Sequence, residues 1–209
     1  MDISTLTDHF SAMANEVFAR CVADYHITDS IDAPAPEPYP KESLRAVLYA
    51  KCWIDAAQWH MEDIIRDPDI APAAAVALKR RIDKSNQDRT DMVEEIDTRF
   101  RTLFADVRPL PDATINTESP AWAVDRLSIL ALKLWHMDEQ ARRTDVSDEH
   151  RARCSAKFDV LREQQLDLGT AIDQLLADIA AGKKYMKVYR QMKLYNDAAT
   201  NPALYGKKH

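Results

Sequence analysis

Glycine is nearly missing from this chain, with 3 residues in 209, while 30% of the residues are charged. β-Folds use glycine at many tight turns, so the scarcity argues for long helices and against a turn-rich sheet. Long uncharged runs are missing too. No stretch approaches the roughly 18 to 20 apolar residues that a membrane helix needs. The start, Met1-Asp2-Ile3-Ser4, lacks the positive and apolar regions of a signal peptide. Cysteine is sparse: Cys21, Cys52 and Cys154 are far apart and without metal-type spacing. Free buried thiols in a cytoplasmic protein are expected. There is no Gly-rich phosphate loop, no Cys-x-x-Cys and no nucleophile elbow, which excludes the functions those motifs carry.

What is present is enough apolar residue, 46%, to bury a sizeable core. The net charge of −6 is unevenly spread. From Lys183 onward the chain carries Lys183, Lys184, Lys187, Arg190, Lys193, Lys207 and Lys208 against one acid, Asp197, so the body is acidic. A nucleic-acid binder rarely has that balance.

Periodicity predicts five long helices. The first runs from about residue 5 to 25, with Leu6, Phe10, Met13, Val17 and Cys21 at helical spacing. Pro34, Pro36, Pro38 and Pro40 then alternate, which predicts an extended strap across the surface. Helices are expected over about 42–66, 72–104, 120–143 and 148–181, the fourth opening on Ser119-Pro120 and the last stopping at Gly182. A short basic helix over 183–195 should carry Tyr185 and Tyr195 buried against the acidic bundle.

A shift of 76 residues places Trp59-His60-Met61-Glu62-Asp63 on Trp135-His136-Met137-Asp138-Glu139 without a gap. It also pairs Ile96-Asp97 with Ile172-Asp173 and Arg89 with Gln165. The expected architecture is therefore all-α and a single domain over 1–209. A duplicated helical hairpin (repeats at about 42–104 and 119–181) forms a four-helix core, with an added N-terminal helix and the basic segment 183–209.

Polar residues break the apolar pattern in the first repeat. Arg89 sits mid-stripe on the third helix, with Asn86 on its shoulder, and Asp55, Gln58 and Glu62 form a row on an otherwise apolar second helix. A buried guanidinium needs a carboxylate, and Glu62 is the best-placed candidate, with Asp55 second. An Asp138–Arg162 pair is the counterpart in the second repeat. Asp55, Gln58, Glu62, Asn86 and Arg89 make up the candidate ligand site. The histidines at 60 and 136 each have an acid three residues on, but this reverses the Glu-x-x-His order of di-metal bundles. Imidazoles hydrogen-bonded to those acids are expected, no metal site is assigned, and any cofactor is unknown.

The leading expectation is an accessory protein binding a small polar or anionic ligand, or a partner, through that interior cluster. The alternatives are a metal-dependent phosphohydrolase using Glu62, Asp91, Glu94 and Asp97, and a structural homo-oligomer such as a homodimer. Segments Cys52–Pro68, Arg81–Asp91, Trp122–Lys133, Lys184–Arg190 and Asn201–Tyr205 resemble the bacterial family called domain of unknown function 4254. The resemblance implies a bacterial cytoplasmic protein and assigns no roles to residues.

Overall fold

A computed structural model describes residues 3–191 and 197–205. Five long helices carry the fold: α1 (Ile3–Thr28), α2 (Leu44–Ile64), α3 (Pro72–Leu103), α4 (Pro120–Arg142) and α5 (Asp148–Ala180). Their bounds follow the apolar periodicity and the proline and Ser-type starts. Ser43 caps α2 by accepting from Ala46 N–H at 3.1 Å, and Ser147 caps α5 through His150 N–H at 3.2 Å. The proline strap lies extended before α2, and Trp53 Nε1 donates to its Ala33 carbonyl at 3.2 Å.

The chain is the all-α helical bundle expected, and within it the N-terminal helix is part of the core rather than an addition to a four-helix core. α1 packs against α2, α4 and α5, and Phe10, Ala14, Val17, Phe18, Cys21, Val22 and Tyr25 are all buried. The core is therefore a five-helix bundle, and the two hairpins α2–α3 and α4–α5 close around α1. Its apolar stripe looked like an ordinary amphipathic face, but neighbours cover it on three sides. All three cysteines are free and buried.

Two aspartates tie the bundle together across helix starts. Asp97 of α3 accepts from Ser119 Oγ at 2.5 Å and from Ala121 N–H at 3.2 Å, so it caps α4 from outside that helix. Ser119 stands at the N-cap position but makes no side-chain cap bond of its own. Asp173 of α5 does the same for α1, where the helix kinks at His9: it accepts from Ser11 N–H at 2.8 Å and Ser11 Oγ at 2.5 Å. Burial raises the Asp97 pKa despite its two hydrogen bonds. Asp97→Ala should cost about 1–3 kcal/mol, since it strands a buried N–H and hydroxyl. Asp97→Asn should cost less, because its amide oxygen still accepts from Ala121. Urea denaturation reads both, and equal losses would mean that the cap bond is not what matters.

The expected basic helix over 183–195 is replaced, within the described residues, by an extended segment. Gly182 takes φ +71, and a Cβ there would meet the Arg108 carbonyl oxygen at 2.7 Å, so both conformation and space demand glycine. The chain turns there and β2 (Lys184–Tyr185) pairs in parallel with β1 (Thr114–Ile115), while Leu110 N–H donates to the Gly182 carbonyl at 2.8 Å. Strand pairing outcompetes a helix whose first turn would have had to restart after glycine. Tyr185 is half-buried and Tyr189 is exposed, and the expectation for Tyr195 lies outside the described residues. A last short helix, α6 (Pro202–Tyr205), ends the described chain.

Candidate functional site

Burial of charge organises the middle of the bundle. α2 is apolar on most sides, so the polar residues in its middle are forced into contact with neighbouring helices. Lys51 and Asp55, one turn apart, are completely buried and paired, with Nζ 2.5 Å from Asp55 Oδ2. Lys51 Nζ also lies 2.8 Å from Asp125 Oδ1 of α4 and donates to the Asp125 carbonyl at 3.2 Å. Arg89 of α3 closes the group: Nε and Nη2 donate to the two Asp125 carboxylate oxygens at 2.9 and 2.5 Å. Its Nε lies 3.4 Å from Asp55 Oδ1. Ser128 Oγ donates to Asp55 Oδ2 at 2.5 Å. Two cations and two anions thus balance with no net charge.

The electrostatics follow from that geometry. Burial pushes the Asp55 pKa up, against the pull of Lys51 and Ser128. Burial acts the same way on Asp125, but Lys51 and Arg89 together overcome it and hold Asp125 below the ordinary aspartate value. For Arg89 burial opposes the charge, and the bidentate bond to Asp125 outweighs it and raises the pKa.

The expected site residues fall into two groups. Asp55, Gln58, Asn86 and Arg89 do gather between α2, α3 and α4. Gln58 Nε2 donates to Asn86 Oδ1 at 2.8 Å and Ser85 Oγ donates to Gln58 Oε1 at 3.0 Å. Glu62 is not the partner of Arg89. It pairs with Arg66 one turn along its own helix, at the rim. The guanidinium reaches α4 instead because Asp125 offers both oxygens to its flat edge. Nor does Asp138 meet Arg162: it takes Arg142, its i+4 neighbour. Gln165, the counterpart of Arg89, donates to Asn15 of α1 at 3.1 Å.

Lys51, Asp125 and Ser128 are absent from the sequence-based site. Their signal was a lone lysine inside the apolar run Leu48–Trp53, and two polar residues three apart in Trp122–Leu134. The polar row of α2 has its answer on α4 six residues before the position that the 76-residue shift assigns to it, so the row looked erased.

The four carboxylates of the phosphohydrolase alternative do not assemble. Asp97 caps α4, Glu94 accepts from Gln191 N–H at 3.0 Å, Asp91 accepts from Gln87, and Glu62 holds Arg66.

Two clefts open beside the buried quartet and share Arg89 and Ile129 as wall residues. One, of about 290 Å³, is lined by Asp55, Gln58, Trp59, Glu62, Asp63 and Arg66 as well. The other, about 490 Å³, adds Asp125, Arg126, Leu130, Lys133, Gln164, Asp167 and Leu168. Arg89 is 30% exposed, so it is anchored inside and presented outside. A larger cleft of about 620 Å³ beside Glu95 and Arg99 has no comparable buried charge behind it.

Fold and site together define a helical bundle with a charge-neutral ion cluster at its centre and a guanidinium at the junction of two clefts. The family model for proteins of unknown function designated DUF4254 matches residues 45–188, from the first turn of α2 to just beyond β2, and the chain belongs to that family. No curated protein and no solved structure matches the chain.

Proposed function

We propose that the protein binds a small anionic or zwitterionic ligand in the paired clefts, with Arg89 as its anchor. The carrying observation is the half-covered Arg89 guanidinium, held by the buried Asp125 at the point where both clefts meet. An arginine already oriented by a carboxylate loses little freedom when a second anion docks on it. Arg126 and Lys133 stand in the wall of the larger cleft, and neither is in an ion pair among the described residues. They add positive charge at the entrance. On the other side, the Gln58 amide and the Trp59 ring supply a polar and a flat apolar contact for the rest of the ligand. Asn86 and Ser85 act on Gln58, whose orientation their hydrogen bonds define.

Thermal-shift screening of small carboxylates and phosphate esters tests this, with Trp fluorescence as a second readout. At least one compound should raise the melting temperature saturably. Arg126→Ala with Lys133→Ala, both exposed, should leave the fold intact and weaken that compound by roughly tenfold or more, about the loss of one or two charge-assisted contacts. Stabilisation by none of the panel, or stabilisation untouched by the double substitution, would sink the reading.

The same reading takes α2–α3 and α4–α5 as an internal duplication of which the first copy carries the ligand. Asp97 and Asp173, 76 residues apart, support it: each accepts from a serine hydroxyl and a backbone N–H of another helix, at the start of α4 and just after the kink of α1.

A further inference from the structure

His26 in the last turn of α1, His60 in α2 and His136 in α4 come together on one side of the bundle, apart from the ion quartet. Their ring centroids are 5.1 to 5.4 Å apart in every pairing, and their planes cross at 66 to 73°. One ring nitrogen of each lies within 4.8 Å of one from each of the others. Among the described residues, this is the one group of three or more potential ligand side chains that converges.

For two of the three rings a hydrogen bond decides which nitrogen keeps its lone pair. His26 Nδ1 is 2.6 Å from the Val22 carbonyl oxygen, which only accepts, so Nδ1 carries the proton and Nε2 keeps its lone pair. His136 Nδ1 is 2.9 Å from a Glu139 carboxylate oxygen, with the same consequence. The Nε2 atoms of His26, His60 and His136 are all buried, and no hydrogen bond reaches any of them.

Aromatic packing is the competing account, and it explains part of the cluster. Tyr25 stacks on His60, Trp135 on His26 and Trp59 on His136, at 4.7 to 5.1 Å. Stacking satisfies the ring faces, but it leaves the in-plane lone pairs unanswered. Lone pairs converging in a half-buried, aromatic-walled pocket repel one another unless a cation sits between them. One shared proton can serve two of three nitrogens.

We infer that His26, His60 and His136 form a three-imidazole site for a divalent transition ion of the zinc class. Three nitrogens on such an ion, at about 2.0–2.1 Å from it, are about 3.4 Å apart, so ring nitrogens that lie within 4.8 Å of one another close inward to bind it. The Val22 carbonyl and the Glu139 carboxylate are the outer partners that hold imidazole ligands in the required tautomer. Asp29 Oδ1 is 3.6 Å from His60 Nε2 at the exposed rim but lies outside the three-nitrogen group, so the fourth position is left to solvent. Asp29 is also the one non-glycine residue with positive φ (+45°) among the described residues. It directly follows α1 and closes that helix, its N–H donating to the Tyr25 carbonyl at 2.9 Å. The inference stands apart from the anion clefts, although Trp59 lies in the wall of one cleft and against His136.

The test uses the full chain, stripped with a chelator and titrated with Zn(II) and with Co(II). One equivalent should bind with a dissociation constant below about 1 μM, and Co(II) should show the strong visible bands of a four-coordinate ion. His60→Gln and His136→Gln should each weaken Zn(II) by at least roughly 100-fold. Should a histidine variant not fold, the wild-type chain still decides: Co(II) should broaden the ring-proton signals of His26, His60 and His136 and spare His9 and His150. Absence of saturable binding, or broadening at His9 or His150 instead, would overturn the site.

Discussion

Lys51→Met should destabilise the protein by about 3 to 5 kcal/mol, the usual consequence of removing one partner from a buried ion pair. Lys51 is fully buried and touches both Asp55 and Asp125. Without it, two carboxylates share one guanidinium, and Asp55 keeps only Ser128 at hydrogen-bonding distance, with Arg89 at 3.4 Å. Met fills the same volume, so the loss is electrostatic rather than a cavity. Lys51→Met with Asp55→Leu removes one complete pair and leaves the bidentate Arg89–Asp125 pair intact, and most of the lost stability should return. Denaturant unfolding of the single and double variants measures this. A single-variant loss below about 1 kcal/mol would mean that water reaches the cluster and the charges are screened.

The quartet also predicts a pH dependence. Lys51 and Arg89 hold the folded-state pKa of Asp125 below the ordinary 3.8, so on acidification the unfolded chain takes up that proton first. The stability contributed by ionised Asp125 is thus fully present above pH 3.8 and is lost as pH falls through the lower folded value. The penalty of Asp125→Asn should accordingly be largest near neutrality and shrink in strong acid. A penalty independent of pH would contradict the ionised assignment.

Phe18→Ala should cost about 3 to 5 kcal/mol, the range for removing a buried aromatic ring and leaving a cavity. Phe18 lies on α1 and has no exposed surface. An N-terminal helix merely laid on a four-helix core would tolerate truncation there at a fraction of that cost. Thermal and urea unfolding separate the two arrangements. A loss of about 1 kcal/mol or less would return α1 to the periphery.

Helices were legible because their signals are local. The apolar stripe of α3, the serine before α5, the prolines of the strap and the glycine after α5 each act within a few residues. The all-α class follows directly from them. So does the general location of the polar interior, since Asp55, Gln58 and Arg89 interrupt otherwise apolar faces.

Partner choice was not local. Helical phase showed that Arg89 points inward and offered Glu62 and Asp55 as partners, but Asp125 was not among them. Which carboxylate it meets depends on the distance and stagger between α3 and α4. The basic segment after Gly182 has an amphipathic pattern that suits a helix, yet β1 offered it backbone hydrogen bonds from far along the chain. His26, His60 and His136 show the limit most sharply. His60 and His136 carried a visible repeat, whereas His26 stood alone in the first helix with no spacing relation to either. A chain of 209 residues specified its helices, its buried thiols and the general location of its polar interior. Tertiary packing alone decided that α1 would be central, that Asp125 would hold Arg89, and that three imidazoles would share one pocket. Helix formation is determined within a turn or two, whereas side-chain pairing between helices depends on crossing angles and stagger that no short stretch encodes.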